Sequence, residues 1–180
     1  MQNIYRGIAM EQWDVFDIDR IPTDKTAVRG EKMAEGNYHM VIHVCIFNSK
    51  GEMLIQQRQP WKSFGEKWDV SVGGSALKGE TSRDAAHREL LEELGIDFDF
   101  SSLRPNMTMN FEEGFDDFYL LNMDIDLTSL TLQPEEVKDA RWASREEVFG
   151  LIDKGEFIPF FKSFIDLLFD VRHKPDCLNM

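Results

Sequence analysis

Hydrophobic positions recur along the chain with two periods, and the switches between them predict the elements. His39 to Phe47 (HMVIHVCIF) is apolar almost throughout, which predicts a strand covered on both faces. Met53 to Arg58 (MLIQQR) follows across Asn48-Ser49-Lys50-Gly51, a strand, turn and strand pattern. Upstream, Trp13 to Asp17 and Thr26 to Arg29 read as a small N-terminal hairpin around a polar turn containing Pro22 and Asp24. Gln59 to Lys67 reads as a loop, and Trp68 to Val72 as a strand ending at Gly73-Gly74. A helix is predicted over Ser82 to Leu94, opened by a capping box of Thr81 and Asp84 and stopped at Gly95. Strands near Met107 to Phe111, Phe115 to Asp124 and Ala140 to Trp142 come next. Ser144 and Glu147 form a second capping box before a helix over Glu146 to Asp153, and Pro159 to Val171 reads as a Phe-rich helix. Strands flanked by helices on two sides predict a layered α/β fold.

Length and composition change this picture little. The 180 residues, without repeats or long linkers, suit one domain over 1–180, with residues 1–36 as an N-terminal extension. Such a chain buries roughly 70% of the surface it exposes when unfolded, and 42% hydrophobic residues including 14 Phe supply a core. Cys45 and Cys177 are too few for a disulfide framework and lack zinc spacing, so a reducing cytoplasm is expected. Acidic side chains outnumber basic ones 33 to 20, a net charge of −13, which argues against nucleic acid as a general partner. No stretch is apolar for long enough to span a membrane, and the first residues lack a basic start with an apolar run. A homodimer is left open.

The stretch from Gly74 to Ile96, GSALKGETSRDAAHRELLEELGI, changes the picture most. On a helix, Glu92 and Glu93 lie at about 300° and about 40° from Glu89, so three carboxylates share one arc. Two of them also sit beside the negative end of the helix dipole. That arrangement calls for a positive partner, and a hard divalent cation such as Mg²⁺, which takes oxygen ligands and substrate phosphates, is the natural one. A solvated acidic face is the plainer reading of such spacing by itself.

The complete pattern is Gly74, five residues, Glu80, seven residues, Arg88-Glu89-Leu90, one residue, Glu92-Glu93, one residue, Gly95-Ile96. It resembles the Nudix box, GX₅EX₇REUXEEXGU, at every specified position, with residues 74–96 as the box. The resemblance implies an α/β/α sandwich with a mixed sheet and hydrolysis of a small-molecule diphosphate substrate. It also implies Mg²⁺ or Mn²⁺ held by Glu89, Glu92, Glu93 and the main-chain carbonyl of Gly73, with Glu89 a candidate base. Gly74, Glu80, Arg88 and Gly95 would support the box. Asp116 and Asp117 on a strand, and Glu135 and Glu136 in a loop, are candidates for a further carboxylate.

A wider likeness over Trp13 to Val148 points to the branch related to isopentenyl-diphosphate isomerase. Where that isomerase uses a Cys and a His around the first box glycine, this chain has Gly73 and Ser75, so hydrolysis ranks first. His39 matches one isomerase ligand position. A non-catalytic Nudix domain is a third reading, set against by the intact box. His39 and His43, four apart on a strand, face one way and read as hydrogen-bonded sheet histidines rather than a second metal site. Cys45 reads as a buried, inert thiol. Trp61, Phe64 and Trp68 read as packing, with stacking on a substrate as the rival role.

Overall fold

The computed structural model describes residues 10–173. Cys177 and the first nine residues lie outside that range. Within it the chain runs β1 (Gln12–Phe16), β2 (Pro22–Val28), β3 (His39–Phe47), β4 (Met53–Arg58), β5 (Trp68–Asp69), β6 (Val72–Ser75), α1 (Ser82–Leu94), β7 (Met107–Phe111), β8 (Gly114–Asn122), β9 (Val137–Ala143), α2 (Arg145–Asp153) and α3 (Lys162–Val171). A short 3₁₀ turn at Leu127–Ser129 separates β8 from β9. The β1–β2 hairpin is antiparallel and separate from the main sheet.

β3 is the central strand. It pairs in parallel with β8 along its whole length, and β7 pairs antiparallel on the far side of β8, so the sheet is mixed. Alternation along β3 fills both sides of the sheet. Ile42, Val44 and Ile46 pack with Ala85, Ala86, Leu90 and Leu94 of α1. Cys45 and Phe47 pack with Val148 and Leu151 of α2 and Ile165, Leu168 and Phe169 of α3. The two-sided apolar strand and the α/β/α layering expected from the sequence are both present.

On its other edge β3 meets β4 only at Phe47↔Met53. From there the strands diverge. The segment Trp68–Ser75 crosses between them: β5 pairs with β4, the chain bends at Val70 and Ser71, and β6 pairs with β3 from Val41 to Val44. The single strand expected over Trp68 to Val72 is therefore two strands on different neighbours. Asp69 makes the bend, its Oδ1 accepting from the Val70 amide at 2.8 Å. Ser71, fully buried, stitches the divergence by donating to Leu54 O (2.6 Å) and accepting from Ile46 N (2.8 Å).

Two other expectations are corrected. The hairpin turns at Asp17 to Arg20, because the Asp17 carboxylate accepts from the amides of Asp19 and Ile21. Pro22 and Asp24 consequently lie in β2 and not in the turn. α3 begins at Lys162 and not at Pro159, with Phe161 extended at its N-cap and no side-chain cap bond. Both capping boxes form as expected, at Thr81 with Asp84 and at Ser144 with Glu147.

Replacing Ser71 by Ala leaves one buried N–H and one buried carbonyl without a partner, each costing about 1–3 kcal/mol. The urea midpoint of Ser71→Ala should fall by an amount equivalent to about 2–4 kcal/mol. A midpoint equal to that of the wild type would show that the divergence holds without it.

Candidate active site

Where β3 and β4 separate, residues from several parts of the chain surround one cleft. The β1–β2 hairpin region brings Glu11 and Arg29, β3 brings His43, and β6 brings Gly73 to Ser75. α1 adds Arg88, Glu89, Glu92 and Glu93, while Arg58, Lys62, Gln133 and Glu136 come from the opposite rim. Its volume of about 230 Å³ suits the charged end of a small molecule.

The close approach of α1 to β6 requires Gly74, and that of the His43 ring requires Gly73. A Cβ on Gly74 would lie 2.1 Å from the Glu89 carboxylate, and one on Gly73 would lie 2.7 Å from the His43 ring. Gly95 ends α1 in the left-handed region at φ 72°, its N–H returning to the last turn. Glu80 accepts from Leu77 N at 2.8 Å and takes Arg88 in a two-point pair at 2.7 and 2.9 Å. Arg88 also donates to Ser75 O (3.1 Å), tying the helix to β6.

The cation that the carboxylate face calls for is in part Arg88 itself, which contacts Glu89 at 2.9 Å and Glu92 at 3.2 Å. Glu93 is different. It is 4% exposed, and its Oε2 accepts from Gln56 Nε2 at 2.8 Å. Burial, and then the charge of Glu89, push its pKa well up. Burial likewise raises the Glu89 pKa to about 7, against the pull of Arg88. Gln56 Oε1 is buried without a partner. Among the described residues no three His, Cys, Asp or Glu side chains stand ready around one point. The donor set is nonetheless oxygen only and short of positive charge at Glu93, which fits a hard divalent cation.

The further carboxylates separate. Glu136 lines the cleft and is paired with Lys62. Glu135 stands outside it, its carbonyl accepting from the Trp61 indole at 3.0 Å. Asp116 bonds His43 Nδ1 at 2.7 Å beside the cleft, and this bond raises the His43 pKa against burial. Asp117 faces the α1 side of the sheet, where it is 1% exposed and held by Arg20 through two bonds.

His43 is thus a hydrogen-bonded sheet histidine, whereas His39 stacks on Trp13 at 4.3 Å with Nδ1 unpartnered. Cys45 is fully buried and its thiol pKa is pushed up by that burial. Trp68 packs beneath Arg141, but Trp61 and Phe64 are 69% and 54% exposed, so the packing expected of them is not found. Their loop is held by backbone and polar bonds instead, including Gln59 to Pro134 O and Val137 O.

The cleft is built on the 74–96 motif, and a family model described as NUDIX domain matches residues 37–165. The chain belongs to the Nudix hydrolase family. An uncharacterized Nudix hydrolase of Listeria monocytogenes is 52% identical over 165 residues, covering 91% of this chain and 96% of its own. A crystal structure from Deinococcus radiodurans superposes with a TM-score of 0.68 at 27% identity, over 82% of this chain and 91% of that one. The isomerase branch is also represented: isopentenyl-diphosphate Delta-isomerase 2 of Photorhabdus laumondii is 27% identical over 143 residues, 73% of this chain and 78% of its own. This Nudix hydrolase places in its cleft four basic residues that its motif does not announce or explains only structurally, namely Arg29, Arg58, Lys62 and Arg88. Arg29 pairs with Glu11, and Arg58 pairs with Asp69 at 3.1 Å. Only folding brings Arg29, Arg58 and Lys62 to the box, so spacing along the chain carries no sign of these three.

The raised Glu89 pKa fixes a sign for metal-free stability. Its stabilising contribution is complete below the ordinary pKa of 4.5 and is lost as pH rises through about 7. Relative to Glu89→Gln, the metal-free wild type should lose up to about 3 kcal/mol over that interval. Melting curves of both proteins between those pH values test it, and parallel curves would contradict a buried, proton-holding Glu89.

Proposed function

We propose that this Nudix hydrolase cleaves a diphosphate linkage in a nucleoside-diphosphate-type or related substrate, with water attacking phosphorus. The observation that supports this most is the buried Glu93 beside the half-buried Glu89, set in a cleft that also gathers basic side chains in a strongly acidic chain. Mg²⁺ or Mn²⁺ would be held by Glu89, Glu92, Glu93 and the carbonyl of Gly73. Such an ion, when bound, neutralises diphosphate oxygens and lowers the pKa of water.

The chain's own groups do the rest. Arg29, Arg58 and Lys62 supply donors toward the anionic oxygens of the substrate. Glu89 accepts the proton of the attacking water at a carboxylate oxygen. Glu80 and Arg88 hold loop and helix in register, so the carboxylate does not drift from β6. Glu136 is the further carboxylate best placed to join them. Two cysteines without disulfide-framework or zinc spacing support a reducing cytoplasm.

The isomerase relative names the rival chemistry. At Gly73, where that chemistry needs a cysteine, the His43 ring leaves no room for a Cβ, which supports hydrolysis. Among the described residues no helix is long and apolar enough to cross a membrane.

A screen for phosphate or nucleotide release over nucleoside diphosphates and triphosphates, nucleotide sugars, dinucleotides and isoprenoid diphosphates tests the proposal. Turnover should require Mg²⁺ or Mn²⁺ and stop with a chelator. Glu92→Gln should lower kcat/KM by about 100-fold or more, since a carboxylate ligand is worth several kcal/mol of charge stabilisation. Its metal-free melting temperature should change by no more than tenths of a kcal/mol equivalent, because Glu92 is half exposed and its pair with Arg88 is weak. Full activity in Glu92→Gln, or isomerisation without hydrolysis by the wild type, would overturn the assignment.

A further inference from the structure

Alternation along β4 sends every second side chain toward α1, and the character of those side chains changes in three steps. Leu54 is fully buried in the core beneath α1, Gln56 is 2% exposed, and Arg58 lines the cleft. Gln56 is thus the last buried place before the site, on the stretch where β4 has parted from β3. Packing alone would put an apolar side chain there, as it does at Leu54 and Ile55. The amide instead leaves its Oε1 buried without a partner, which is unfavourable in a core.

What the amide gains is one bond. Its Nε2 donates to Glu93 Oε2 at 2.8 Å, a contact buried between β4 and α1. Turning the amide over would give Oε1 no better partner, because it would set an amide oxygen against a carboxylate oxygen, acceptor against acceptor. Among the described residues no group bonds the other Glu93 oxygen, and Glu93 lines the cleft. The carboxylate therefore has one oxygen held by the sheet and one left for the site.

We propose that Gln56 is a positioning residue for metal binding, which holds Oε2 of Glu93 so that Oε1 is presented to the cation. The proposal rests on the hydrolase reading, which puts Mg²⁺ or Mn²⁺ at Glu93. A carboxylate fixed in this way is ordered before the cation binds, so no loss of side-chain freedom is left to the binding event. The rival role is a strut that only ties α1 to β4. A strut affects folding, whereas a positioning residue also sets the affinity for the metal.

Titration with Mn²⁺ in the absence of substrate, followed by electron paramagnetic resonance, reads that affinity without any assay of turnover. Gln56→Met keeps the bulk and removes the donor. It should raise the Kd for Mn²⁺ about 10–100-fold, while its metal-free circular dichroism matches that of the wild type. Tyr119→Phe is the control, since it cuts a different bond between the sheet and α1, the 2.8 Å contact of Tyr119 Oη with Ser82 Oγ, and should leave the Kd unchanged. Equal affinity of Gln56→Met and the wild type, or an equal loss in Tyr119→Phe, overturns the proposal and leaves the hydrolase reading standing. A wild type that binds no Mn²⁺ overturns both. Should Gln56→Met fail to fold, Gln56→Asn decides, because its amide is one methylene too short to reach Glu93. Weakened binding in that variant upholds the proposal, and unchanged binding ends it.

Discussion

Glu89, on the inner face of α1, can lie against the sheet only where the strand beneath it has no side chain of its own. This constraint organises the molecule. Glu89 lies so close to β6 that any residue larger than glycine at Gly74 would overlap its carboxylate. Glu93 is sunk further, against Gln56 of β4. Burying carboxylates raises their pKa and weakens the domain by itself. The surrounding structure offsets that cost with well-formed parts: a capping box at Thr81, a left-handed stop at Gly95, and the Arg88 fork on Glu80 and Ser75 O.

The sheet supplies the other half of the arrangement. If β3 and β4 paired along their full length, Gln56 would not stand free to reach α1 and no cleft would open. They part after Phe47↔Met53, and Trp68–Ser75 passes from one to the other with Ser71 holding both. β6 then presents Gly73 and Gly74 at the divergence, between His43 on one face and Glu89 on the other. A break in regular pairing is what lets residues from the two faces of the sheet share one site.

Much of this was legible in the chain itself. The box was readable because helix spacing, caps and glycines fall within 23 consecutive residues, so local geometry alone assembles it. β3, β4, α1 and β7 keep the boundaries read from periodicity, since each has an unmixed period and a clear stop. The crossover of Trp68–Ser75 was not readable, because both halves are extended and only their neighbours differ. The hairpin turn was misplaced because Pro22 outweighs Asp17 as a turn signal, although the Asp17 carboxylate makes the bonds. The candidates Asp116 and Asp117, adjacent in sequence, point to opposite faces, and alternation alone implies that at most one could serve a given site.

Net charge was the least reliable guide to the site. A balance of −13 argues against polyanion partners, yet a diphosphate sees only the few ångströms around it. Arg29, Arg58 and Lys62 come from a hairpin, a strand end and a loop, and each arrives with an acidic companion: Glu11, Asp69 and Glu136. Those companions hold the basic groups in place and keep the local field modest. The cleft itself is mixed, with Arg29, Arg58, Lys62 and Arg88 set among Glu11, Glu89, Glu92, Glu93 and Glu136, so the charge of the chain and the charge of the site are answers at two different length scales.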